Sequence, residues 1–174
     1  MTQNAGTQNP GADNVGTQNP GTQNPGTQNP GEIVAQAVER SLKLVVTWPA
    51  WDGEPRISDD DRIFTPHKAV RRIADHMIDH LAEVEALLAG VPTQPDEWHA
   101  SALMSAADLA PFTVEDVREA EQRLRRLGRT FELRYAALDP SEWDKPRTPN
   151  WTLREIAEHL TELDWYAEQV GDLS

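Results

Sequence analysis

The sequence predicts an all-α fold, a four-helix bundle in up-down-down-up order with a long crossover between its second and third helices. Three observations predict it. Four stretches carry apolar residues at helical spacing, the second half of the chain repeats the first, and the connection between the halves is long.

The first helix is expected over about 32–46, where Val34, Val38, Leu42 and Val45 recur at helical intervals and Pro49 then stops the run. The second follows Thr65-Pro66, an N-cap with proline in the first turn, and Gly90 closes it. Its stripe is Ile73, Met77, Leu81, Val84 and Leu88. The third follows Pro111-Phe112-Thr113, with Val117, Leu124, Leu127, Phe131 and Leu138 facing inward. The fourth opens on Thr152 and Glu155, a capping box, and continues through Leu160 and Leu163. Trp151, just before that cap, is expected to staple onto Ile156.

The internal repeat runs without gaps. Thr65-Pro66-His67-Lys68-Ala69-Val70-Arg71-Arg72-Ile73-Ala74-Asp75-His76 aligns with Thr148-Pro149-Asn150-Trp151-Thr152-Leu153-Arg154-Glu155-Ile156-Ala157-Glu158-His159. Upstream, Trp51-Asp52-Gly53-Glu54-Pro55-Arg56 echoes Trp143-Asp144-Lys145-Pro146-Arg147. Each half therefore reads as helix, Trp-Asp turn, Thr-Pro start, and helix with an inward histidine. Neither hairpin covers its own stripe, so two antiparallel hairpins should pack together. Residues 91–112 exceed the ~2–8 residues that join adjacent helices, which suits a crossover, with a short helix expected over 102–109.

Ahead of this domain, taken as 32–174, residues 1–31 form a tail built on the unit Thr-Gln-Asn-Pro-Gly. Copies at 7–11, 17–21, 22–26 and 27–31 are perfect. Almost nothing in it is apolar, so it is expected to stay disordered, with transient turns at Asn-Pro-Gly.

Composition excludes several functions. There is no cysteine, hence no disulfide, thiolate metal site or cysteine nucleophile. Acidic residues outnumber basic ones 29 to 16, and a formal charge of -13 repels phosphate backbones, so no nucleic-acid partner is expected. Arg118, Arg123, Arg125, Arg126 and Arg129 cluster, but Glu115, Asp116, Glu119 and Glu121 sit among them, as on a solvated mixed-charge face. No run approaches the ~20 apolar residues of a membrane span, and no secretory signal opens the chain. A cytoplasmic location is the default, and arginine and alanine usage hints at a GC-rich bacterial genome.

The chemistry-bearing residues are histidines. His76 and His80 stand at i and i+4 on the inner face of the second helix, a spacing at which two imidazoles can share one cation. His159 holds the place of His76 in the repeat. Three neutral nitrogen ligands suit Zn, Ni or Fe. Asp75, Asp79, Glu158 and Glu162 are at hand either to orient metal-bound imidazoles or simply to hydrogen-bond structural histidines. His67 and His99 are expected to be exposed. Trp165 and Tyr166 read as packing at the end of the fourth helix or as walls of a pocket.

Leu138-Asp139-Pro140-Ser141-Glu142-Trp143-Asp144-Lys145-Pro146, Trp151-Thr152-Leu153-Arg154-Glu155-Ile156-Ala157-Glu158-His159-Leu160 and Asp164-Trp165-Tyr166 resemble the first helical hairpin of DinB-like proteins. That superfamily includes the mycothiol-dependent maleylpyruvate isomerases. The resemblance covers about 114–171 and, through the repeat, 32–90 more loosely. It implies an up-down-down-up bundle with a divalent metal held by three histidines, here His159 for the single one and His76 with His80 for the pair. The usual order of the two pieces is exchanged, which a pseudo-twofold bundle accommodates. The implied activity is that of a transferase or isomerase acting with a low-molecular-weight thiol on a small-molecule substrate. The competing reading is a non-catalytic bundle, a binding or homodimerisation module that keeps its histidines for structure.

Overall fold

The computed structural model describes residues 28–94 and 103–174. The remainder of the repeat tail, His99 and part of the crossover lie outside the described residues.

Helix dominates. α1 spans Pro30–Val45, α2 Pro66–Ala89, α3 Val114–Ala136, α4 Leu153–His159 and α5 Asp164–Glu168. The expected caps are present. Thr65 accepts from the Lys68 amide at the start of α2, and Gly90 ends it at φ 68°. Thr113 with Asp116 and Thr152 with Glu155 close reciprocal capping boxes on α3 and α4. Among the described residues no helix is long and apolar enough to cross a membrane.

Several expectations change. α1 begins inside the last repeat unit. Asn29 caps it, Pro30 occupies the first turn and Gly31 is buried. A Cβ on Gly31 would lie 2.5 Å from the Phe131 carbonyl oxygen, and one on Gly128 would lie 3.3 Å from the Ala35 Cα. These two glycines let α1 and α3 approach closely, and α1 packs chiefly along α3 and then against α4 and α5. α2 packs on α3, α5 and α4. The helices expected to pair within each half, α1 with α2 and α3 with α4, meet little. Each half thus leans on the other rather than on itself.

The repeat also departs from symmetry. Thr65 starts α2, but its counterpart Thr148 lies in a turn, and α4 starts one helical turn later at Leu153. Before α2 the chain makes a small antiparallel ribbon, β1 (Arg56–Ile57) with β2 (Ile63–Phe64). Before α4 only a single bridge, Arg147 to Asn150, remains of it. In the crossover the short helix is a 3-10 turn at Ala106–Leu109.

The fourth helix is broken rather than continuous. Leu160–Leu163 tightens into a 3-10 turn between α4 and α5. The Thr161 hydroxyl donates to the Glu158 carbonyl, and Arg40 of α1 takes the Thr161 carbonyl at 2.8 Å and Asp164 at 2.6 Å. A side chain from another helix thus satisfies the carbonyl that the tightened turn frees.

The core joins all these pieces. Val34, Val38, Leu42 and Val45 of α1 meet Leu124 and Phe131 of α3, Ile73 and Met77 of α2, and Leu153, Ile156, Leu160 and Leu163. Tyr135 is fully buried, and its hydroxyl donates to the Leu153 carbonyl at 2.6 Å, pinning α3 to the start of α4. Arg118, Arg123, Arg125 and Arg129 of α3 lie on its exposed face and pair with Glu115, Glu119, Glu39, Glu121 and Glu132, as a mixed-charge surface should.

Candidate metal centre

α2 is continuous through both of its histidines, so the four-residue spacing places His76 and His80 one turn apart on its buried face. α4 ends at His159, where the chain tightens. Packing of α2 against α4 and α5 brings the three rings together. Ring centroids stand 4.6 Å apart for His76–His80 and 5.0 Å apart for each of the other two pairs, all edge to face. One ring nitrogen from each histidine lies within 4.8 Å of the other two. His76 and His80 are buried and His159 is half-buried. The three residues singled out from spacing and repeat therefore form one cluster.

Electrostatics favours a neutral imidazole at His76. Burial pushes the His76 pKa down to about 3, helped by His80, His159 and Arg72. At neutral pH that ring is therefore uncharged, and one of its two nitrogens carries no proton. His80 Nδ1 bonds Glu83 Oε2 at 2.8 Å. Donation to that carboxylate keeps the proton on Nδ1, and Nε2 is buried with no hydrogen-bond partner among the described residues. An orphaned buried acceptor is costly, and a cation facing it would relieve the cost. His159 Nδ1 lies 3.8 Å from Glu162. The donor set and the orphaned Nε2 fit a divalent ion held by His76, His80 and His159.

Two cavities flank the cluster. One, of about 270 Å³, is lined by His76, His159, Glu162, Trp165, Tyr166 and Arg62. The other, of about 290 Å³, touches His80 and Glu83 and runs toward Val91 and Gln94. Trp165 and Tyr166 are thus both packing residues and pocket walls. A larger concavity, about 770 Å³, is an open groove along α1 and α3 that none of the histidines lines.

Sequence reasoning missed three residues here. Glu83 stands at i+3 from His80, a spacing that could have flagged it. Trp151 does not bury itself as a staple. It is half exposed and lies 6.3 Å from His80, stacked, and 5.1 Å from His159. Arg62 comes from the loop of the β1–β2 ribbon, which no pattern in the sequence announces. His67 is half-buried against Phe112, with Nε2 3.3 Å from the Pro111 carbonyl, and takes no part in the cluster.

No family model matches the chain, and searches of curated proteins and of solved structures also find no match.

Proposed function

We propose that this chain is a divalent-metal protein of the DinB-like kind, in which His76, His80 and His159 hold one Zn, Ni or Fe ion. The convergence of three ring nitrogens within 4.8 Å carries the reading. In the same proposal the helices form an up-down-down-up bundle with the crossover spanning its length. Pairing of α1 with α3 and of α2 with α4 and α5 suits that arrangement.

A bound ion of this type would lower the pKa of a coordinated water or low-molecular-weight thiol and so supply a nucleophile near neutral pH. The protein's own groups do the rest. His76 stays unprotonated because it is buried beside other positive or potentially positive groups. Glu83 orients His80 through Nδ1 and directs Nε2 inward. Trp151 shields His80 and His159 from the outer side. Trp165 and Tyr166 wall a cavity large enough for a small substrate next to His76 and His159. The proposed activity is therefore a transferase or isomerase of a small molecule, cytoplasmic and bacterial, with no nucleic-acid partner.

Elemental analysis of untagged protein tests the centre. Near-stoichiometric metal is expected, and zinc at about 100 times its Kd should stabilise the fold by about 2.7 kcal/mol. His76→Ala should abolish both. A preparation without stoichiometric metal, whose melt neither zinc nor nickel moves, would leave a non-catalytic bundle used for binding or dimerisation.

A further inference from the structure

Against the overall charge of -13, positive groups gather beneath one cavity. Arg62 forms part of its wall, with its guanidinium carbon 4.5 Å from the Trp165 ring centroid. One end of that guanidinium reaches Asp60 at 2.6 Å, but Nε is buried with no hydrogen-bond partner among the described residues. Ser58 pins the loop that carries it: the Ser58 amide donates to the Arg62 carbonyl at 2.9 Å and the Arg62 amide to the Ser58 hydroxyl at 3.2 Å.

Behind the wall lie two more cations. Lys68 is 1% exposed, with Nζ 5.6 Å from the Phe64 ring centroid. Burial lowers its pKa, as do Arg71, Arg72 and Arg62, and Asp108 opposes them. That carboxylate is already engaged by Arg71 at 2.8 Å. Arg72 is 2% exposed and donates to the Tyr166 hydroxyl at 3.2 Å. A tyrosine oxygen that accepts this bond keeps its own proton to donate. Glu162, the single acid of the wall, has a largely exposed side chain beside His159. Positive groups gathered this way create a local field that favours an anion in the cavity.

We propose that this cavity is a subsite for a small organic carboxylate, received by Arg62 and the Tyr166 hydroxyl, with its flat body against Trp165. The fork of the guanidinium matches a carboxylate, and about 270 Å³ suits a small ligand. His76 and His159 line the same cavity, so the rest of the ligand faces the histidine cluster. The subsite requires no metal, and so goes beyond the metal reading.

Calorimetric titration of the full chain at pH 7, after chelator treatment and again with zinc, tests it with benzoate, benzamide and inorganic phosphate as probes. Benzoate should bind at least tenfold tighter than its neutral analogue benzamide and tighter than phosphate, with or without zinc. Arg62→Gln should weaken benzoate at least tenfold, Arg62→Lys should restore part of the loss, and Arg125→Gln on the far groove should change nothing. Equal binding of benzoate and benzamide, or no binding, overturns the proposal. So does a folded Arg62→Gln protein of unchanged affinity. Tighter phosphate would overturn the carboxylate assignment. Benzoate that binds only with zinc and ignores Arg62 would overturn the subsite while leaving the metal reading intact. Should Arg62→Gln fail to fold, Tyr166→Phe decides by the same tenfold criterion.

Discussion

Acidifying the metal-free protein should destabilise it through His76. In an unfolded chain this histidine titrates near 6.5, whereas in the fold burial holds it at about 3. Between those values the unfolded state binds one more proton than the folded state, so stability rises with pH and is lost as pH falls. At pH 5 the unfolded histidine is already charged and the folded one is not. The penalty is the 1.5-unit gap between 6.5 and 5 at ~1.36 kcal/mol per unit, or about 2 kcal/mol relative to neutral pH. Below pH 3 it levels off at about 5 kcal/mol. Urea unfolding at pH 7, 6 and 5 in chelator would measure it for wild type and for His76→Gln, which cannot titrate. The stability difference between the two proteins should shift by about 2 kcal/mol in favour of the variant on going from pH 7 to 5. Parallel pH profiles would refute the reasoning, because they would mean that His76 is solvated enough to protonate within the fold.

Four further outcomes are expected. Gly31→Ala should cost about 1–3 kcal/mol, because its Cβ would meet the Phe131 backbone at 2.5 Å. Gly128→Ala, at 3.3 Å from Ala35, should change chemical-denaturation stability by less than about 1 kcal/mol, since a gain in helix propensity offsets the crowding. Tyr135→Phe should lower stability by about 0.5–1.5 kcal/mol in thermal melts, because it removes a buried hydrogen bond from the hydroxyl to the Leu153 carbonyl. Without metal, His159→Ala should cost less than His76→Ala, 159 being half-buried and 76 buried; with zinc, both should lose the metal-dependent stabilisation.

Much of the helical architecture follows from local rules that need no tertiary knowledge. Thr65-Pro66 with Gly90, and Thr152 with Glu155, mark their termini because capping involves residues a few positions apart. The apolar stripe of α1 is buried where its periodicity placed it, and that of α2 is buried at Ile73, Met77 and Val84 and half-buried at Leu81 and Leu88. The histidine cluster was legible for a related reason. A one-turn spacing fixes two of its members, and the repeat supplies the third. What stayed hidden depends on distant partners. The break at Leu160–Leu163 is stabilised by Arg40, 121 positions away in sequence from Thr161. The close pairing of α1 with α3 rests on Gly31, which reads in the sequence as one more repeat glycine. β1 and β2 are two residues each, too short to show any period, so nothing announced that Arg62 would reach the site.

The internal repeat explains why three histidines meet but not how differently they are held, and that difference bears on what the site can do. His76 sits within α2, a 24-residue helix, among side chains that deny it a proton. His80, one turn on, is tied by Nδ1 to Glu83 and turns an unsatisfied nitrogen inward. His159 stands at the last position of a seven-residue helix, where the chain tightens and Trp151 leans on the ring. Two donors are therefore set in a rigid element, and the third is carried on a junction between two short helices. A ligand that draws His159 toward the other two also acts on that junction, and so on Trp165 and Tyr166 just beyond it. Those aromatics wall the cavity that Arg62 closes from the opposite chain segment. His159 and the cavity walls Trp165 and Tyr166 thus flank one junction, a connection the two symmetric halves of the sequence do not reveal.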